Sequence, residues 1–318
     1  MLRKFAYNKI FRTTGMLLLL LLLLVFPASK KYSLKDEKTI HTIGKIAKSE
    51  AFLLDKDNYV ARCHINISNT NDEAYAKKLV ELLIIDGKYE NYIPNGFKAM
   101  LPSDTKINSI KLKDDTITLD ISNDILELNS KTLLKALDAL TYNLTTISNV
   151  KYIYVNVDNK ALNDVLKGKI NVNMPLKREN GINSMYDIKT YENTTKTTVY
   201  FLNKNSSGYY YVPVTKVNND NSDKIKIIVD ELTSSHIYET NLMSFLNYNT
   251  KLIDYKLEDD KLILNFNNYI FDDAKEKSVL EEVVYSICLS VRDNYNVKEV
   301  VFNADGKEIL KSVIKDIE

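Results

Sequence analysis

Alternating apolar and polar residues occur in two stretches of the chain that align with each other without a gap. Residues 105–123 match residues 250–268 at an offset of 145 positions, and an Asp pair divides each stretch into two runs. Alternation with a period of two predicts strands with one buried face. The pairs Asp114-Asp115 and Asp259-Asp260 suit turns better than a shared proton or a calcium ion. Each stretch is therefore predicted to be a β-hairpin.

The repetition extends to both sides of the hairpins. Each unit has one amphipathic segment before its hairpin, one after it, and apolar runs typical of strands at its two ends. These segments lie at 51–54, 59–60, 79–83, 130–145 and 150–155 in the first unit, and at 199–202, 211–212, 228–232, 276–291 and 297–302 in the second. The order β-β-α-β-β-α-β predicts an α+β sandwich, with helices on one face of a largely antiparallel sheet.

This repetition divides the chain into two tandem domains, 50–160 and 197–318. The polar segment 161–196, which contains Gly168, Pro175 and Gly181, is predicted to be an irregular linker. An amphipathic helix is expected over Lys307–Lys315. The longer spacing between Tyr285 and Val297 predicts about one additional helical turn in the second domain.

The amino terminus has the layout of an export signal. Basic residues precede an apolar block at 15–28 that includes a run of eight leucines, and residues 30–49 form a charged stalk. Residues 1–29 are therefore a cleaved signal peptide or a short membrane anchor, and both place the domains outside the cytoplasm. No Cys directly follows the apolar block, so attachment of a lipid to a cysteine is not expected.

Composition argues against two classes of binding partner, nucleic acids and nucleotides. The 43 Lys and Arg residues nearly balance the 42 Asp and Glu residues, which argues against a nucleic-acid partner. With only 8 Gly residues the chain has little material for glycine-rich phosphate loops, so no nucleotide cofactor is expected.

Residues able to carry out chemistry are scarce and scattered. His41, His64 and His236 have no metal-ligand spacing, and His64 and its neighbour Cys63 point to opposite faces of a strand. Cys63 and Cys288 are far apart in sequence and are expected to pack as small apolar residues.

Two further motifs also favour structural roles. Ser234-Ser235-His236 lacks the glycine pattern of a nucleophile and is expected at a helix end. Asp120 is the best single candidate for chemistry, yet Asn265 occupies the matching position of the second repeat, which favours a structural task over general-base catalysis. We expect no catalytic, cofactor-binding or metal-binding residue, and a hydrolase would need clustered carboxylates or histidines that the sequence does not offer.

Tyrosine is abundant, with 21 residues, and Tyr209, Tyr210 and Tyr211 are consecutive. On a strand, Tyr209 and Tyr211 share one face and Tyr210 occupies the other. Such tyrosines are either half-buried strand residues or interface residues whose hydroxyl groups stay hydrated.

Three motifs of the first repeat resemble the signature of the GerMN domain. Leu83-Ile-Ile-Asp-Gly87 is similar to its Leu-Leu-x-Gly element, Leu101-Pro-Ser-Asp-Thr105 to its Leu-Pro-x-Gly-Thr turn, and Leu119-Asp-Ile-Ser122 to the end of its strand. The second repeat departs more, with Asn247-Tyr-Asn-Thr250 at the turn, but it keeps an early strand at Tyr209-Tyr-Tyr-Val-Pro-Val214.

The resemblance implies a non-enzymatic sporulation or germination protein whose domains are similar to ring-building modules. It further implies association with protein partners, or with copies of itself, in the envelope complex that joins mother cell and forespore. Family members are commonly lipoproteins, so the missing Cys puts the mode of membrane attachment in doubt. The alternative is a peptidoglycan-binding protein or an accessory to a cell-wall enzyme.

Overall fold

The computed structural model describes residues 50–69, 71–234, 240–273 and 275–313. The predicted signal segment 1–29, the stalk 30–49, His41 and His236 lie outside these residues. Within the described ranges, no helix is long and apolar enough to cross a bilayer.

Each domain contains the predicted order of elements together with one further strand, and both domains belong to one compact unit. The first domain contains β1 (Glu50–Asp55), β2 (Val60–His64), α1 (Asp72–Glu81), β3 (Phe97–Lys98), β4 (Ile107–Lys113), β5 (Thr116–Ile121), α2 (Ser130–Leu144) and β6 (Tyr152–Val157). Asn71 and Asn129 cap α1 and α2, because their side-chain oxygens accept hydrogen bonds from otherwise unpaired amides of the first turn.

Between the domains lie β7 (Lys160–Ala161), α3 (Leu162–Leu166) and β8 (Met185–Asp187). The second domain contains β9 (Thr195–Asn205), β10 (Gly208–Asn218), α4 (Lys224–Thr233), β11 (Leu252–Glu258), β12 (Lys261–Phe266), α5 (Glu281–Asn294), β13 (Glu299–Ala304) and β14 (Lys307–Val313).

The repeat is preserved in detail. Asp114 and Asp259 have φ of 54° and 48° at the two hairpin turns, as the Asp pairs predict. The same irregularity interrupts both hairpins, between Ile107 and Ser109 in the first domain and between Leu252 and Asp254 in the second.

The arrangement of the strands differs from the single, largely antiparallel sheet that we expected. The two sheets built on the central hairpins have the orders β4-β5-β6-β7 and β11-β12-β13-β14, whereas β1 and β9 belong to separate sheets of three strands. The pairs β5–β6 and β12–β13 are parallel, because a helix crosses over between the two strands of each pair.

The expectation of a helix over Lys307–Lys315 is wrong, since Lys307–Val313 forms β14, which pairs antiparallel with β13. Asp305 and Gly306 have φ of 47° and 76°, which is the conformation of a two-residue hairpin turn. This Asp-Gly signal outweighs the amphipathic pattern that follows it.

The expectation of an irregular linker at 161–196 is also corrected. Besides α3 and β8, the segment contains the buried side chains of Val172, Leu176 and Ile182, and β8 pairs with β10 of the second domain. The linker is therefore packed against the domains at these positions, while the domain boundaries at 160 and 197 stay a prediction.

Candidate functional site

The two domains meet along β2 and β10, and a linker residue joins them. Ala61 on β2 packs into the core of the second domain. The Asn183 amide donates to the carbonyl oxygens of Val60 and Pro213 at 2.8 Å each and accepts from the Val60 amide at 2.9 Å. Because the Asn183 side chain bonds to strands of both domains, the linker is part of the interface between them.

Beside this contact lies a buried carboxylate surrounded by arginines. Glu50 begins β1, its side chain is 2% exposed, and it pairs with Arg62 of β2 and with Arg292 of α5, whose Nη2 is 3.5 Å from Oε1. Burial alone would raise the pKa of Glu50, but the guanidinium groups of Arg62, Arg292 and Arg178 outweigh it and lower the pKa to about 2.

A second carboxylate connects the linker to the second domain. The Asp293 side chain is 2% exposed and accepts hydrogen bonds from Arg178 Nη1 and the Tyr200 hydroxyl, both at 2.8 Å. Arg178 also donates to the Thr145 hydroxyl at 2.8 Å and lies 4.5 Å from the ring centre of Tyr142 in the first domain. Removing either carboxylate would leave buried positive charge without a partner.

The carboxyl end of α5 supplies Arg292 and Asp293. Asn143, one residue before α2 ends, accepts from the Phe52 amide on β1, whereas Ser290, which accepts from the Tyr200 amide on β9, is four residues before α5 ends. α5 therefore extends further past its contact with the early strand than α2 does, but the predicted additional turn is wrong. The helix as a whole is not longer, because α5 has 14 residues and α2 has 15.

A separate polar cluster links the β1–β2 hairpin to β9 and β10. Asp55 is fully buried and accepts from the Tyr210 hydroxyl at 2.9 Å and from the Asn203 amide at 3.0 Å. The Tyr210 ring also meets Phe97 edge to face at 4.9 Å. Of the three consecutive tyrosines, Tyr210 is thus an interface residue, but the interface is between the two domains.

The best candidate binding site is a cleft of about 520 Å³ bounded by α2, the linker and β8. The first domain and the linker line it, and Lys196 at the start of β9 completes its wall. Apolar side chains that remain accessible in the cleft are Leu134 and Tyr186, at 43% and 68% exposure. Clefts that combine apolar walls with a few polar groups are the usual form of binding sites.

Among the titratable groups of the cleft, Asp138 has the largest pKa shift. Its carboxylate accepts a hydrogen bond from the backbone amide of Asn183 at 3.2 Å. Burial raises the pKa of Asp138 to about 7, although that hydrogen bond and the charges of Lys135 and Lys196 oppose the rise. A carboxyl group that holds a proton near neutral pH is characteristic of functional clefts.

This raised pKa predicts a pH-dependent gain in stability for Asp138→Asn. The folded wild type retains a proton that the unfolded chain releases, so its stability falls as pH rises from about 4 to about 7. Because the side chain keeps some access to water, we expect the variant to be more stable by about 1–2 kcal/mol at pH 8 and equal to wild type at pH 3. Urea denaturation followed by far-UV circular dichroism measures this, with the exposed Asp104→Asn as control, and equal stability at both pH values would contradict it.

The structural task predicted for Asp120 is present. Its carboxylate accepts from the Asn159 amide at 2.9 Å, and Asn265 accepts from the Gly306 amide at 2.8 Å in the second domain. Both side chains hold the turn that follows β6 or β13. The carboxylate of Asp120 and the neutral amide of Asn265 thus serve the same purpose.

The other sequence candidates also lie apart from one another. Cys63 and Cys288 are free and buried, as predicted, and burial raises the pKa of both thiols, to about 12 for Cys288. His64 is exposed on β2, opposite to buried Cys63. Within the described ranges, no three His, Cys, Asp or Glu side chains come together as metal ligands.

Comparisons with known proteins agree with the duplication. A family model described as Germane, for sporulation and spore germination, matches residues 51–163 and again residues 198–310. The chain is 31% identical over 266 residues to the spore germination protein GerM of Bacillus subtilis strain 168, which covers 82% of this chain and 72% of that protein.

The structural comparison extends the similarity to the pair of domains. The solved tandem GerMN domains of the Bacillus subtilis sporulation protein GerM superpose with a TM-score of 0.74 and 30% identity. The match covers 83% of this chain and 93% of that one. The predicted α+β class with two repeated domains and the resemblance to the GerMN domain are both confirmed.

Proposed function

Because the chain belongs to the Germane family of sporulation and spore germination proteins, we propose that it acts without catalysis, by binding protein partners of the mother cell–forespore envelope complex. In this proposal residues 15–28 attach it to a membrane and the two domains lie outside the cytoplasm. The family and its relatives are named for sporulation and germination and for no reaction.

The observation that carries the proposal is the cleft between the first domain and the linker. Leu134 and Tyr186 leave apolar surface accessible there, while Lys131, Lys135 and Lys196 supply positive charge. An apolar centre with a polar rim is the usual composition of a protein-binding surface. The buried ion pairs and the linker hydrogen bonds support the cleft by keeping its two sides together.

The proposal predicts that Leu134→Asp impairs sporulation. A carboxylate in the apolar part of the cleft should weaken partner binding by about tenfold or more, so heat-resistant spores should become fewer. Deletion of the gene sets the baseline, and an immunoblot verifies equal protein levels. Leu126→Asp is the matched control, because Leu126 is similarly exposed but lies outside the cleft. Normal spore yield after gene deletion, or equal losses from both variants, would contradict the proposal.

A further inference from the structure

The outer strand of the second domain's larger sheet has an open edge. β11 ends the order β11-β12-β13-β14, and β4 has the matching position in the first domain. Because the domains are repeats, β4 serves as an internal reference for β11. Open strand edges are places where another chain can pair.

The first domain covers the corresponding edge of its own strand β4. α1 packs against β4, and the Glu73 carboxylate accepts from the Leu112 amide at 2.9 Å. The side chains of Ile110 and Leu112 pack against the first core. The edge of β4 is therefore protected by both a helix and a charge.

The second domain leaves the same edge uncovered. Leu257 matches Leu112 but is 53% exposed, and Ile253, where the first domain has Asn108, is also 53% exposed. Among the described residues, no side chain bonds to the Leu257 amide, and α4 packs against β9. The side chains of Ile253 and Leu257 are thus accessible along β11.

The backbone of β11 has the alternation that pairing requires. A two-residue turn joins Glu258 to Lys261, so amides of the even-numbered residues Asp254, Lys256 and Glu258 face β12. The amides of Tyr255 and Leu257 therefore face outward, as the bond from Leu112 to Glu73 shows for β4.

The side chains of β11 are complementary to those of a second β11. In an antiparallel pair centred on Tyr255, Asp254 of each copy lies opposite Lys256 of the other, and Ile253 of one lies beside Leu257 of the other. The same pairing of β4 about Ile110 would place Ser109 opposite Lys111, with no opposite charges.

We propose that a second copy of this chain binds along β11, forming a two-fold dimer in which both four-stranded sheets join into one. The proposal rests on the proposed function, because it names one form of the association suggested there. A two-fold interface uses the same surface on both copies and closes after two subunits.

Charge reversal on the full chain tests the dimer. Asp254→Lys places Lys opposite Lys256, and Lys256→Asp places Asp opposite Asp254. Each change should raise the dimer dissociation constant by about tenfold or more. An equimolar mixture of the two variants should associate again, because each carries charges opposite to those of the other. Light scattering in detergent micelles, with the detergent mass subtracted, measures the association.

Lys111→Asp at the matching position of β4 is the control and should dimerise as wild type. Regained association in the mixture also shows that both variants are folded. A wild type that is monomeric at all concentrations, variants that dimerise as wild type, or a mixture that stays monomeric would overturn the proposal. These outcomes leave the effect of Leu134→Asp on spore yield untouched, so the two proposals fail separately.

Discussion

Asp293→Ala is expected to destabilise the chain by about 3–5 kcal/mol. The change leaves the largely buried Arg178 without its carboxylate and removes the acceptor of the Tyr200 hydroxyl, both bonded at 2.8 Å. Removing one partner of a buried ion pair costs this much because the remaining charge stays desolvated. Since the chain has no Trp, far-UV circular dichroism in urea is the suitable measurement.

The matched control is Asp260→Ala. Asp260 Oδ2 lies 3.4 Å from Lys298 Nζ, but both side chains are largely exposed. Exposed ion pairs contribute about 0–1 kcal/mol, so this variant should be close to wild type. Equal losses from the two variants would show that the cluster around Asp293 does not stabilise the interface.

Glu50→Gln is expected to change how the free energy of unfolding depends on pH. The folded pKa of Glu50 is about 2, below its ordinary 4.5, so the wild type gains about 3 kcal/mol above pH 4.5 from this group. That gain disappears as pH falls through about 2, and the variant lacks it throughout. The difference between wild type and variant should therefore be largest near neutral pH and decline between about pH 4.5 and 2.

Urea denaturation at a series of pH values measures this difference. Glu127→Gln, an exposed position outside the cluster, is the control and should parallel wild type. A constant difference between wild type and Glu50→Gln from pH 7 to pH 2 would contradict a lowered pKa for this carboxyl group.

Much of the fold follows from local patterns. The hairpins could be predicted because their alternation and the turns at Asp114 and Asp259 are contained in a few adjacent residues. The pattern at β14 wrongly predicts a helix, because a short apolar pattern suits both structures and only the preceding Asp305-Gly306 turn separates them.

The interface was not predicted, because its residues meet only in the folded chain. One signal was available in the composition. The chain has only five arginines, and the three beyond the amino-terminal segment, Arg62, Arg178 and Arg292, all lie around Glu50 and Asp293. Arginine suits buried pairs with carboxylates better than lysine does. The cleft at Leu134 and Asp138 had no comparable signal, since its walls come from α2, the linker and β9.

We propose above all that protein partners bind at the cleft between the first domain and the linker. The most direct measurement places a photo-crosslinking amino acid at Tyr186, in the cleft, or at Tyr191, which is 92% exposed outside it, and irradiates sporulating cells. We predict a discrete protein adduct from position 186 and none from position 191. Adducts to glycan, equal adducts from both positions, or none from position 186 would contradict the claim.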